Sequence, residues 1–247
     1  MVAFAAAVQF LLISPAFVRR PFTPGELGRS TAYFPLVGVL LGGLLAAADL
    51  MLATVFPVQV RSALVLGLWI VLTGALHFDG LLDACDGLFG AGTPKRRMEI
   101  MRDERTGAYA AAGGVLILLT MFSAMNAIEH GRWAALLLAP TLGRCGVTLA
   151  VVAFPYGRAA GLGRDIKDHA HASQAAAALL TAIAVVGIVS SVLQDLGVAA
   201  ALVSAAVVWW LASQFVLRRI PGMTGDTYGA INMLIEASVL LTFAAAR

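Results

Sequence analysis

Three aspartates, Asp79, Asp83 and Asp86, stand at helical spacing in the run HFDGLLDACDGLFG, at the end of an apolar stretch. At about 100° per residue, Asp83 falls roughly 40° round from Asp79 and Asp86 about 20° to the other side, so the carboxylates project from one sector about 60° wide. Like charges this close repel unless a cation joins them. Mg2+ takes hard oxygen ligands and keeps waters and substrate phosphates in its shell. Gly80 and Gly87 follow two of the aspartates and remove bulk beside them. The cluster suits a divalent metal and a diphosphate. A solvated acidic helix end, paired with nearby arginines, is the plainer alternative.

Three more polar clusters follow. In MRDERTG, residues 101–107, Arg102 and Arg105 lie one helical turn apart and could grip phosphate oxygens in the bidentate way that lysine cannot. Asp103 and Glu104 could pair with them or join a metal shell. An interfacial helix is the competing reading, and it is preferred for Lys95, Arg96 and Arg97, which would meet anionic lipid headgroups. In YGRAAGLGRDIKDHAH, residues 156–171, Arg158, Arg164 and Lys167 stand beside glycines whose N–H groups can face an anion. Asp165, Asp168, His169 and His171 add candidate ligands or a base, although a solvated loop is the simpler account. In PGMTGDTYGA, residues 221–230, Thr224 and Asp226 either cap the last apolar helix or close the site from the far end of the chain. Glu236, inside that helix, is costly unless paired, and Arg144 is the candidate partner.

The elements that hold these clusters are membrane helices. Hydrophobic residues make up 60% of the chain and charged residues 13%, against about 25% charged in soluble proteins; mean hydropathy is +0.87. Stretches long enough to cross roughly 30 Å of hydrocarbon recur at 34–56, 62–78, 108–128, 133–153, 174–193, 197–216 and 230–246. The fold class is all-α, a polytopic membrane bundle of about seven spans in one domain over residues 1–247. An eighth span arises if residues 2–18 cross; Pro15 and short length also allow a re-entrant or interfacial helix. That stretch lacks a basic leader region, so it is not read as a signal peptide.

Alternate loops differ sharply in charge. Thirteen of the 17 basic residues fall on one side of the seven spans, and three on the other. The rich side is cytoplasmic by the positive-inside rule. The sequence pI of about 9.2 thus reflects topology, and nothing points to nucleic acid. All four polar clusters share the basic side, which favours an enzyme of cytoplasmic substrates over a transporter needing access from both sides. Asp49 and Arg144, charges within spans, are what a transporter reading would use. Cys85 and Cys145 suggest packing and no disulfide.

Several ordered motifs give the chain a family likeness: AVQFLLISPAF, YFPLVGVLLG, HFDGLLDACDGLFG, EIMRDERTGAYA, YGRAAGLG and TGDTYGA. Together they resemble the cobalamin synthases, the adenosylcobinamide-GDP ribazoletransferases, over essentially the whole length. Two departures stand out. Met233 occupies a position where a glutamate is expected, and SPAF replaces the usual Arg-Ile-Pro.

The resemblance implies a multi-pass enzyme of a bacterial or archaeal inner membrane, facing the cytoplasm. It would join α-ribazole, or its 5′-phosphate, to adenosylcobinamide-GDP and release GMP with Mg2+. Asp79, Asp83 and Asp86 would then hold Mg2+ and the diphosphate, and Arg102 and Arg105 would steady the departing GMP. Asp86, Asp103 or His77 would take the proton, with Asp86 favoured. His77, Arg158, Arg164, Asp165, Thr224 and Asp226 would position substrate. A homo-oligomer is allowed by the sequence and not specified by it. A CDP-alcohol phosphotransferase would need an Ala-Arg soon after Asp-Gly and a further downstream aspartate pair. A polyprenyl transferase would need a second aspartate-rich run. A secondary transporter would show inverted repeats. None of these features is evident.

Overall fold

The computed structural model describes residues 1–90, 92–103 and 105–246. Among them the chain is helical, with no strand beyond a single bridge between Tyr156 and Met223. The helices are α1 (Val2–Leu11), α2 (Pro24–Ser30), α3 (Phe34–Leu52), α4 (Val58–Leu72), α5 (Leu76–Phe89), α6 (Pro94–Ile100), α7 (Ala108–Ala127), α8 (Arg132–Ala153), α9 (Leu162–His169), α10 (Ala172–Leu193), α11 (Leu196–Leu217) and α12 (Gly225–Ala245). Six helical stretches are long and apolar enough to cross a membrane, and a seventh crossing forms if α4 and α5 count as one. At ten residues α1 reaches only about 15 Å and is too short for an eighth.

Helix α8 is the central post. It is buried nearly all round, and its closest partners are α3 and α12. Gly38 and Gly42 let α3 lie against it backbone to backbone: a Cβ on Gly38 would stand 2.4 Å from the Pro140 carbonyl oxygen. Without a hydrophobic drive between helices in lipid, such small-residue contacts decide which helices pair.

Two charges within the spans are neutralised in place. Asp49 Oδ1 accepts from Arg132 Nε at 2.9 Å and lies 3.2 Å from Arg61 Nε, tying α3, α4 and α8 together at the end remote from the polar clusters. Arg144 Nη1 donates to Glu236 Oε1 at 2.9 Å, the partnership anticipated from the sequence. Both therefore have structural partners, which removes the feature that a transporter reading would use.

The expected span at 62–78 is not one helix. After Leu72 the chain turns by 88°, because Gly74 and Ala75 both adopt left-handed conformations, φ 58° and 57°. Glycine reaches this region at little cost, whereas alanine does so rarely. The break frees carbonyls that lipid cannot satisfy. The Leu72 carbonyl accepts from the Ile13 N–H at 2.8 Å, and the Thr73 hydroxyl turns back to Trp69 O at 3.0 Å. The N-terminal segment is thus seated at the break, and α5 with its aspartates sets off in a new direction.

Candidate active site

Helix α5 crosses the start of α12 at a contact made of glycines. A Cβ on Gly80 would lie 3.0 Å from the Asp226 carbonyl oxygen, and one on Gly229 would lie 3.0 Å from that of His77. Only bare backbone allows the two helices this close. The approach sets Asp79 and Asp83 on α5 beside Asp226 in the first turn of α12, and Asp83 is near enough to feel the charges of Asp226, Asp79 and Arg158.

The start of α12 is fixed by its own cap. Thr224, fully buried, accepts from the Thr227 N–H at 3.3 Å, and its hydroxyl donates to Asp226 Oδ2 at 3.2 Å. The segment before α9 is zipped to the same place: the Gly157 N–H donates to Met223 O at 2.7 Å, and the Met223 N–H to Pro155 O at 2.8 Å. This brings Arg158 within 2.5 Å of Asp226 Oδ2. Thr224 thereby caps α12 and orients Asp226 through its hydroxyl.

A cavity of about 350 Å³ opens here. Its polar wall holds His77, Asp79, Arg102, Arg158 and Asp226, drawn from α5, the turn after α6, the segment before α9, and α12. Phe10, Phe34, Val147, Val151 and Ile166 line the remainder, with Tyr156 and Tyr228, whose rings stack at 6.2 Å. Neither tyrosine belongs to the set expected from the sequence, although both stand inside polar motifs, where an aromatic ring is itself a signal.

Other expectations need correction. Asp86 is a helix cap: its Oδ2 accepts from the Gly107 N–H at 2.6 Å and its Oδ1 from the Ala110 N–H at 2.9 Å. It closes the N-terminus of α7, where carboxylates are favoured by unpaired N–H groups and the helix dipole. Correspondingly, no three acidic, cysteine or histidine side chains among the described residues converge on one point. The common sector on α5 is thus not a preformed three-carboxylate site.

Arg105 and Asp103 are also displaced. Neither residues 101–103 nor residues 105–107 are helical, so Arg102 and Arg105 do not share a helix face. Arg105 closes a fork on Asp103 at 3.0 and 2.9 Å, and that pairing pulls the Asp103 carboxyl down to about 2. Neither lines the cavity. Glu104 lies outside the described residues.

Arg164 and Asp165 point away as well. The cavity takes Gly161, Leu162, Gly163 and Ile166, while Arg164 pairs with Asp168 at 2.9 Å on the outer face of α9. An amphipathic helix must turn its apolar residue inward, and buried Ile166 decides which way. Lys167 donates to Val151 O and Val152 O at 2.8 and 3.0 Å. It thus binds the last carbonyls of α8 as a C-terminal cation, and burial pulls its pKa below the usual lysine value. Arg97 does the same for α5, donating to the carbonyls of Gly87 and Leu88.

Carboxylates facing arginines on an apolar cavity fit phosphate chemistry, and comparison with known proteins gives this a family. The family model described as cobalamin-5-phosphate synthase matches residues 3–244. The chain belongs to the cobalamin-5-phosphate synthase family. Within it, the chain is 41% identical over 247 residues to the adenosylcobinamide-GDP ribazoletransferase of Pseudomonas savastanoi pv. phaseolicola, covering 99% of each chain. It is 41% identical over 240 residues to the same-named protein of Stutzerimonas stutzeri, covering 96% of each. To that of Pseudomonas fluorescens Pf-5 it is 40% identical over 246 residues, covering 98% of each. No solved structure gives a significant match. For a cobalamin-5-phosphate synthase, the cavity at the α5–α12 crossing is the candidate active site, because most of the family motifs meet there.

Proposed function

We propose that this protein is an adenosylcobinamide-GDP ribazoletransferase. It joins α-ribazole, or its 5′-phosphate, to the phosphate nearest the corrinoid of adenosylcobinamide-GDP. The oxygen–phosphorus bond to GMP breaks, a bond from an acceptor hydroxyl to that phosphorus forms, and the hydroxyl proton leaves. The observation that carries this reading is the convergence of Asp79 and Asp226 with Arg102 and Arg158 on one cavity, in a chain similar along its whole length to enzymes of that name.

Asp79 on the cavity wall and Asp83, one turn further along α5 and outside that lining, offer only hard oxygen donors, and Mg2+ is commonly held by one or two carboxylates plus substrate phosphates; this pair would hold it. The ion would neutralise diphosphate charge when bound. Arg102 grips the departing phosphate, since an arginine fork matches phosphate oxygens. Arg158, already braced on Asp226, positions the phosphate that is transferred. Of the three base candidates, Asp86 is engaged as the cap of α7, accepting from the Gly107 and Ala110 N–H groups, and Asp103 is outside the cavity. His77 lines it and takes the acceptor proton. The site faces the cytoplasm of an inner membrane, as the basic loops argue.

The test is GMP release from adenosylcobinamide-GDP by membranes carrying the protein. Release should require both α-ribazole (or its phosphate) and Mg2+. Substrate-driven uptake into sealed vesicles without GMP release would overturn the reading.

A further inference from the structure

A separate groove of about 380 Å³ runs along the bundle between α5 and α11, with α12 as its floor. Leu81 and Leu88 form one wall, Val208 and Ala212 the other, and Ala230 and Ile231 the base. Every lining side chain is apolar, the thiol of Cys85 included. A polar ligand would find no partner there, at a cost. Phe89 and Leu211 on the rim are 53% and 60% exposed, and on membrane helices such residues meet hydrocarbon. A groove of this kind, opening sideways into a bilayer, takes an acyl chain. It is also distinct from the active-site cavity, since Leu81, Ala84 and Leu88 lie about 140–200° round α5 from Asp79.

The groove ends where a basic loop begins. Phe89, the last residue of α5, and Phe215, near the end of α11, both line it and stand with ring centroids 5.4 Å apart. The Arg219 guanidinium lies 3.6 Å over the Phe215 ring, a cation–π contact that holds the charge beside this end of the groove. Arg218 adjoins it and is exposed. Among the described residues neither arginine pairs with a carboxylate. Arg96, by contrast, pairs with Glu99, and Arg97 is engaged by the Gly87 and Leu88 carbonyls. Two unpaired cations at headgroup level, at the end of a slot for hydrocarbon, complement a molecule with a negative head and an apolar tail. We infer that this groove binds an anionic phospholipid, one acyl chain lying between α5 and α11 and the phosphate meeting Arg218 and Arg219. Since α5 and α12 also carry Asp79 and Asp226, the bound chain supports their crossing from the face of α5 opposite Asp79.

The experiment uses the purified full chain, stripped of lipid and offered phosphatidylglycerol and phosphatidylcholine with the same acyl chains, with retained lipid read by native mass spectrometry. The wild-type protein should retain one phosphatidylglycerol in preference to phosphatidylcholine by about five- to thirtyfold, the scale of one or two cations near an anionic headgroup. Arg218→Gln with Arg219→Gln should abolish that preference. Lys95→Gln with Arg96→Gln removes the same charge outside the groove lining and should leave it intact. Ala212→Trp, which fills the groove, should lower retention of both lipids. Equal retention of the two lipids by the wild-type protein would overturn the inference without recourse to any variant. So would equal losses in the two charge variants, which would mean a general attraction of the basic loops, or undiminished retention in Ala212→Trp. Efficient cross-linking of two copies through Leu211→Cys in membranes would assign the groove to a second copy of the chain instead.

Discussion

The Arg144 guanidinium donates to Glu236 at 2.9 Å with neither side chain more than 1% exposed, joining α8 to α12. Removing one partner of such a buried pair strands the other charge, at a cost of about 3–5 kcal/mol, whereas replacing both with apolar residues is often neutral or better. Glu236→Ala should therefore lower the temperature at which detergent-solubilised protein loses its monodisperse peak. Arg144→Met combined with Glu236→Leu should recover most of that loss. Equal stability of the single and double variants would show that the pair is not coupled.

The two neighbouring aspartates on α5 should behave oppositely. Asp83→Asn keeps the fold and should cut GMP release by roughly 100-fold or more, the scale of one transition-state charge contact. Asp86→Ala removes the acceptors of the Gly107 and Ala110 N–H groups and should cost about 0.5–2 kcal/mol of stability, as helix caps do. Its activity per folded molecule should stay within a few-fold. Full activity in Asp83→Asn would remove that residue from the metal assignment.

Arg102 and Arg105 should separate in kinetics. Arg102→Ala should lower kcat by about 10²–10³, and Arg102→Lys should restore only part, because an ammonium cannot fork. Arg105→Ala should change rates by less than about twofold, its fork being closed on exposed Asp103 and ion pairs at the surface weak. Since Arg105 holds the Asp103 carboxyl at about 2, the pair's contribution to stability is complete above the ordinary carboxylate range. It is lost only as pH falls through about 2. Asp103→Asn should thus leave the pH–rate profile between about pH 5 and 9 unchanged, and a shifted limb there would contradict this placement.

Gly80→Ala tests the helix crossing itself. Its Cβ would meet the Asp226 carbonyl oxygen at 3.0 Å, a backbone atom that cannot swing aside. Overpacking of this kind costs about 1–3 kcal/mol and would push Asp79 away from Asp226. Both melting temperature and kcat should fall, while Gly225→Ala, which meets nothing within 4 Å, should be mild by comparison.

Much of this arrangement is legible in the residues alone. Hydropathy and the alternation of basic loops locate the crossings and gather the polar clusters at one end. The motif TGDTYGA marks the start of α12 that carries Asp226. What pattern cannot reveal is the left-handed Ala75, because nothing in its side chain favours that conformation. Nor can the fate of Asp86 be read locally, since the N–H groups it accepts lie 21 and 24 residues downstream. Arg164 and Asp165 are different: the periodicity of Leu162 and Ile166 already turns them outward.

The seat of the N-terminal segment bears on how the enzyme is made. Phe10 and Leu11 wall the cavity, and Ile13 closes the carbonyl left open at Leu72, while Tyr228 and Gly229 form another wall near the other end of the chain. Synthesis runs from the N-terminus at about 5–20 residues per second, so residues 10–13 wait in the bilayer for α4, and then for α12, before the chamber exists. A ribosome-bound chain stopped before α12 therefore has helices inserted but lacks the wall that Tyr228 and Gly229 give this chamber.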